Sequence, residues 1–152
     1  MEIFPHPCSV NRRMDLPPDA FNVERSQFLA TGILEEMVSL VPPAGGIILG
    51  ITEVDLYVPD LNFVFGLADV KGTAAVISIC RLREEFYGLA CDDDLFMLRM
   101  VKEALHELGH CFGLGHCQHQ DCVMFFSNSL MDTDRKKESF CTACQEHLQR
   151  SR

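Results

Sequence analysis

The residues best suited to chemistry lie in HELGHCFGLGH, which spans positions 106–116. Residues four apart on an α-helix project from one face, so His106 and His110 can converge on a single metal ion. Zinc accepts neutral imidazole nitrogens, and Glu107 is placed to reach a water at that metal without binding it. Glu107 is therefore the candidate general base.

Gly113 indicates how a third ligand is added. Glycine adopts a positive φ without a Cβ clash and often ends a helix, so the chain can turn back and present His116 to the same ion. Three histidines and a water form an open site, where zinc lowers the pKa of the water to about 7 and polarises a carbonyl group. The alternative, two ordinary polar-face histidines, leaves Glu107, Gly113 and His116 as coincidences.

Four cysteines follow in two pairs, Cys117 with Cys122 and Cys141 with Cys144. Two thiolate pairs separated by a loop are typical of a closed structural zinc site. Such a site would hold His116 in place, because Cys117 is its neighbour. Two disulfides, a redox-active C-x-x-C pair and an iron–sulfur centre are the alternatives; the last is the strongest, since tetrahedral sulfur ligation suits either metal.

The remaining cysteines and two further histidines give no sign of a site. His119, inside the first cysteine loop, and His147 are expected to face solvent. Four cysteines lack paired spacing and are predicted to be buried as small apolar residues: Cys8, Cys80, Cys91 and Cys111.

Two helices are predicted to support these side chains. In residues 26–41 apolar side chains recur every three or four positions, which predicts an amphipathic helix capped by Ser26 and ended by Pro42-Pro43. Residues 94–112 predict a longer helix that carries His106 and His110. The acidic triplet 92–94 fits helix capping better than calcium binding, because the ligand pattern of an EF-hand loop is missing.

Residues 45–87 predict a β-sheet. Short runs rich in Val, Ile and Phe, separated by Gly or Pro, are typical of strands in one sheet. Residues 76–80 predict a central strand buried on both faces. Residues 63–67, which include Gly66, predict an edge strand or hairpin, and such an edge can bind an extended peptide.

The composition suits a single folded domain. Of 152 residues, 47% are apolar and 23% charged, which excludes disordered, collagen-like and coiled-coil classes. We divide residues 1–152 into a sheet-and-helix part, 1–113, and a C-terminal part, 114–152, held by the four cysteines. With no apolar signal segment or membrane-length run, we predict a cytoplasmic protein that does not bind membranes, and assume a monomer.

The net charge of −9 argues against nucleic-acid binding. A zinc-ribbon nucleic-acid module would need a basic face around the cysteines, and Arg135, Lys136 and Lys137 supply some positive charge there. The overall acidity and the few aromatic residues argue against that function.

The pattern HExxHxxGxxH is that of the metzincin metallopeptidases, and the residues after it narrow the resemblance. The spacing H-C-x4-C-x-M from His116 to Met124, followed by C-x-x-C at Cys141, resembles the archaemetzincins. The segments GITEVDLYVPDLNFVFG, AAVISICRLREEFYG and FSNSL are similar to that family as well. The resemblance extends over residues 50–144.

This resemblance implies an α+β fold. The expected architecture is a twisted mixed sheet with an antiparallel edge strand, packed on two main helices, with a C-terminal subdomain that binds zinc through four cysteines. It also implies that Met124 forms an apolar floor beneath the three imidazoles without binding the metal. Met131 is the other candidate for that floor, and filling a gap in the core is the alternative for either.

The predicted function is that of a zinc metallopeptidase with two zinc ions per chain, one catalytic and one structural. Its substrates would be peptides or small proteins, cleaved by a zinc-activated water with Glu107 as general base. The alternative is a zinc-stabilised binding protein without significant peptidase turnover, and the intact Glu107 favours the enzyme.

Overall fold

The structure is a computed structural model that describes residues 3–4, 6–10 and 13–151. This part of the chain contains six strands: β1 (Phe21–Asn22), β2 (Gln27–Leu29), β3 (Ile48–Thr52), β4 (Leu56–Tyr57), β5 (Gly66–Ala68) and β6 (Ala74–Ser78). It also contains four α-helices: α1 (Ala30–Val38), α2 (Asp93–Cys111), α3 (Leu130–Arg135) and α4 (Thr142–Arg150). Short 3-10 helices lie at Pro18–Ala20, Cys80–Leu82 and Glu84–Tyr87.

The strands form two small mixed sheets, in the orders β1-β2-β4 and β3-β6-β5. In the first, β1 is antiparallel and β4 parallel to β2. In the second, β3 is parallel and β5 antiparallel to β6. The predicted α+β class with an antiparallel edge strand is therefore confirmed.

The expectation that all strands share one sheet is wrong. After β3 the chain bends at Glu53, where the Val54 amide donates to Thr52 Oγ1 at 3.4 Å, and β4 then pairs with β2. An isolated antiparallel bridge between Leu56 and Val64 connects this first sheet to the segment before β5. The bend therefore divides one apolar run between two sheets.

Strand β6 is the buried centre of the second sheet, as predicted. All five of its residues are buried, because β3 and β5 flank it and helices α1 and α2 pack against it. The strand ends at Ser78 instead of Cys80, which begins a 3-10 helix.

Helix α1 begins at Ala30, so the predicted cap by Ser26 is wrong. Ser26 has a φ of 53° and lies in the turn between β1 and β2, where its amide donates to the Val23 carbonyl oxygen. Residues 27–29 form strand β2, which pairs on both sides. The helix ends at Val38, before the two prolines.

Helix α2 starts and ends within one residue of the predicted bounds, 94–112. The Asp92 side chain accepts a hydrogen bond from the Leu95 amide at 2.9 Å, which confirms the capping function of the acidic triplet. Gly113 adopts a φ of 88°, and the Leu114 amide donates back to the Gly109 carbonyl oxygen at 3.0 Å. None of the helices in the described residues is both long and apolar enough to span a bilayer.

Candidate active site

The structure brings His106, His110 and His116 together. One ring nitrogen of each histidine lies within 4.8 Å of the others, and Nε2 of His106 is 3.2 Å from Nε2 of His110. Two nitrogens bound to one tetrahedral zinc are about 3.3 to 3.4 Å apart, because each Zn–N bond is about 2.0 to 2.1 Å long. The spacing of this pair therefore fits zinc.

Loops after α2 orient two of the rings. Nδ1 of His106 lies 2.8 Å from the Val123 carbonyl oxygen, and Nδ1 of His110 lies 2.8 Å from the Leu114 carbonyl oxygen. Donation from Nδ1–H to these carbonyls leaves each Nε2 unprotonated, which is the form that binds a metal. Burial also lowers the pKa of His106 well below its usual value, so its ring stays neutral.

Glu107 is a buried carboxylate beside this cluster, with 5% of its surface exposed. Burial raises its pKa well above the usual range; the Glu103 carboxylate adds to this effect and the Lys136 ammonium opposes it. Gly66 on β5 lies directly against it, since a Cβ atom added there would be 2.7 Å from Glu107 Cγ. The edge strand and the candidate base are thus in contact.

Met124 packs against α2 at Gly109 and not at the surface. It is fully buried, and a Cβ atom added at Gly109, between His106 and His110 on α2, would overlap the Met124 sulfur. Met131, the alternative for the floor, is 72% exposed. The position of Met124 suits an apolar floor, although this function stays a prediction.

The four paired cysteines form a second cluster. Their sulfurs lie within 4.8 Å of one another, with Cys117 Sγ 3.7 Å from Cys141 Sγ and Cys122 Sγ 3.8 Å from Cys144 Sγ. A disulfide needs about 2.0 Å. Four sulfurs about 2.3 Å from a tetrahedral zinc would be about 3.8 Å apart. The cluster therefore fits a metal and not the two disulfides.

A cavity of about 210 Å³ opens beside Glu107. One wall consists of residues 61–66, which lead into β5, and another of residues 126–128, which follow Met124. Glu103, His106 and Glu107 on α2 also line it. A molecule that fills the cavity thus contacts the candidate base and one candidate zinc ligand.

Comparisons with known proteins agree with a metallopeptidase site. The model of peptidase family M54 matches residues 5–150. The chain is 46% identical over 142 residues to the archaemetzincin of Methanocaldococcus jannaschii, which covers 93% of this chain and 77% of that protein. It is 48% identical over 133 residues to the archaemetzincin of Thermococcus kodakarensis, covering 87% and 72%. The chain belongs to peptidase family M54.

Solved structures agree with this membership. The crystal structure of archaemetzincin from Methanopyrus kandleri superposes with a TM-score of 0.80 at 46% identity, covering 90% of this chain and 72% of that one. A zinc-dependent peptidase from Methanocorpusculum labreanum superposes with a TM-score of 0.79 at 37% identity, covering 88% and 80%. The resemblance to archaemetzincins and the predicted enzyme class, a zinc metallopeptidase, are confirmed.

The predicted burial of the unpaired cysteines is partly wrong in this M54 peptidase. Cys8 and Cys91 are exposed, and Cys80 and Cys111 are partly buried. Cys91 lies in the loop before α2, outside the core, and its thiol donates to Asp93 Oδ1 at 3.2 Å. Both histidines expected at the surface, His119 and His147, are exposed.

A buried polar contact between α2 and α3 was not predicted. Lys136 is only 1% exposed, and its Nζ lies 3.1 Å from Glu103 Oε1, which also accepts from Thr133 Oγ1 at 3.0 Å. Arg99 binds Asp134 through two hydrogen bonds of 2.7 Å. We call this group the α2–α3 polar contact; its members are Arg99, Lys102, Glu103, Thr133, Asp134 and Lys136.

The sequence alone indicates the position of only some members of the α2–α3 polar contact. Glu103 precedes Glu107 by four positions, so helical periodicity alone places it on the face of the candidate base. Lys136 has no such signal, because its burial depends on a pairing between residues 33 positions apart along the chain. Sequence reasoning placed it among surface charges, and this was wrong. Lys137, the next residue, is indeed exposed.

Replacing Gly66 with Ala is expected to lower kcat/KM about 10- to 100-fold, because the new Cβ overlaps Glu107 and the Val76 carbonyl oxygen on β6, and small displacements of catalytic groups are costly. Steady-state peptidase kinetics, with zinc content measured on the same samples, check this. Gly115→Ala is the matched control, since nothing lies within 4 Å of a Cβ atom added there. If the two variants had equal kcat/KM values, the contact between Gly66 and Glu107 would not affect the rate.

Proposed function

We propose that this M54 peptidase hydrolyses peptide bonds at a zinc ion held by His106, His110 and His116, with Glu107 as general base. The observation that carries the proposal is the 3.2 Å spacing between Nε2 of His106 and Nε2 of His110. Each of these two rings is held through Nδ1 by a carbonyl oxygen, so the pair is preorganised for one ion. Glu107 lines the cavity next to that pair.

When bound, zinc lowers the pKa of a water molecule and polarises a carbonyl group, so that hydrolysis proceeds at neutral pH. Glu107 accepts the proton of the attacking water and passes it to the leaving amine, so no covalent acyl-enzyme is needed. The burial of Glu107 supports this function, because a carboxylate removed from solvent is a stronger base than an exposed one.

We also propose a structural zinc on Cys117, Cys122, Cys141 and Cys144. The near-tetrahedral sulfur spacing supports it. Cys117 is the neighbour of His116 and its amide donates to the Met124 carbonyl oxygen at 3.0 Å. A metal there would hold the loop that carries the third histidine.

The proposed substrates are peptides or small proteins, bound in extended form along the edge strand at residues 63–67. Strand β5 lies at the end of its sheet, and the cavity that residues 61–66 line reaches Glu107. An extended peptide pairs with such an edge through backbone hydrogen bonds. The cytoplasmic location and the monomeric state stay predictions.

Metal analysis and a peptide assay on the same samples test the proposal. The wild-type protein is expected to hold about two zinc ions, and His110→Ala about one, with loss of hydrolysis of a mixture of short peptides. His119→Ala is the matched control, because His119 is exposed and lies outside both clusters.

Two other outcomes would contradict the proposal. If the wild-type protein held a single zinc ion, either the catalytic or the structural site would be ruled out. If the protein held both ions and bound peptides without cleaving them, it would be a zinc-stabilised binding protein.

A further inference from the structure

His116 differs from the other two histidines in how its ring is held. His106 and His110 lie on α2 and each makes a 2.8 Å contact from Nδ1 to a carbonyl oxygen. His116 lies in the loop beyond Gly113 and is exposed. Within the described residues its ring has no hydrogen-bond partner. Another contact must therefore orient it.

The ring of Phe126 supplies that contact. Its centroid lies 4.9 Å from the His116 centroid, with a 45° angle between the ring planes. The other rings packed on His116 are His106 and His110, which are fellow members of the histidine cluster. Among the described residues, Phe126 is thus the one aromatic residue outside the histidine cluster whose ring packs on His116.

The backbone that precedes Phe126 is held on two sides. The Phe125 amide donates to the Cys122 carbonyl oxygen at 2.9 Å, which ties it to the cysteine loop. The Phe125 carbonyl oxygen accepts a 3.4 Å hydrogen bond from the buried Lys136. Phe126 can therefore hold an otherwise loosely bound neighbour in place.

We propose that Phe126 is a positioning residue for His116: its ring packs on the imidazole and replaces the hydrogen bond that orients His106 and His110. This inference rests on the proposed function, in which His116 binds the catalytic zinc. Phe126 also lines the cavity, so a bound side chain touches the residue that orients the third ligand. Partners that orient metal ligands set metal affinity.

Competition between the zinc-loaded protein and a chelator tests the proposal, because it measures zinc affinity without an activity assay. Phe126→Ala and Phe126→Leu are expected to weaken the catalytic zinc about 10-fold and to leave the four-cysteine zinc unchanged. Phe126→Tyr keeps the flat ring and is expected to stay within about 2-fold of wild type. Phe86→Ala is the matched control, since Phe86 is similarly exposed and lies outside both clusters and the cavity.

His116→Ala separates this inference from the proposed function. If His116→Ala leaves the catalytic zinc as tightly bound as in wild type, the proposed ligand set is wrong. If His116→Ala weakens the zinc but folded Phe126→Leu does not, Phe126 has no positioning function. The leucine variant keeps apolar bulk at a site that is 36% exposed, so it preserves the fold even where the alanine variant does not.

Discussion

Replacing Glu107 with Gln is expected to lower kcat about 10²- to 10⁴-fold and to leave the zinc content that we propose, two ions per chain, unchanged. Gln keeps the shape of the side chain but cannot accept the proton of the attacking water. The side chain is buried against Gly66, so a carboxylate dissolved in the buffer cannot reach this position and act as the base instead. Peptidase kinetics and zinc content, measured on the same preparation, check this result.

Glu36→Gln provides the control for that experiment, because Glu36 is an exposed carboxylate on α1 and does not line the cavity. A wild-type rate in Glu107→Gln would end the general-base assignment. Loss of one zinc together with the rate would instead make Glu107 a metal ligand. Each outcome assigns a different function to the same carboxylate.

Replacing Lys136 with Met is expected to lower the free energy of unfolding by about 3 to 5 kcal/mol, because it breaks a buried ion pair. The side chains of Lys136 and Glu103 are 0% and 3% exposed, and the two charges are 3.1 Å apart. Met fills a similar volume but leaves the Glu103 charge unpaired in the interior. Urea denaturation of the zinc-loaded protein measures the change.

Lys137→Met is the control, since this neighbouring lysine forms an exposed pair with Asp121, in which the side chains are 66% and 69% exposed. Its loss should cost less than about 1 kcal/mol. The double variant Lys136→Met with Glu103→Gln should regain much of the stability, because no charge is left unpaired. Equal stability of Lys136→Met and Lys137→Met would contradict the buried pair.

These two predictions concern the same feature of α2, a buried face that is largely polar. The buried residues of this helix include Arg99, Lys102, Glu103, His106 and Glu107. Met97 and Val101, in contrast, are 52% and 39% exposed. The usual pattern of an amphipathic helix, with apolar residues inward, is thus partly reversed. Burial of the polar face is tolerated because each charge there has a partner or belongs to the candidate site.

Local patterns predicted which histidines and cysteines lie together in the two clusters of candidate metal ligands. The four-residue spacing of His106 and His110 and the turn at Gly113 depend only on helix geometry and on the backbone freedom of glycine. The two cysteine pairs depend on equally short spacings. The central strand and the antiparallel edge were also predictable, because alternation and glycine content are local properties.

Other features of the fold were not predictable in this way. Residues 26–29, of which only Phe28 and Leu29 are apolar, suit the start of a helix and a strand equally well, and pairing of β2 with β1 and β4 decides between them. The division of the strands into two sheets depends on the same pairing. Local propensity is weak in such short segments, so contacts with distant strands determine the outcome.

The residue types and spacings alone were enough to indicate zinc chemistry, because metal ligands must be particular side chains at short, regular intervals. Three features depend on the tertiary structure: the walls of the cavity, the burial of Lys136 and the packing of Phe126 on His116. Each of these brings together segments that are 10 or more positions apart. Their proximity depends on how α2, α3 and the edge strand pack, and no local pattern contains that information.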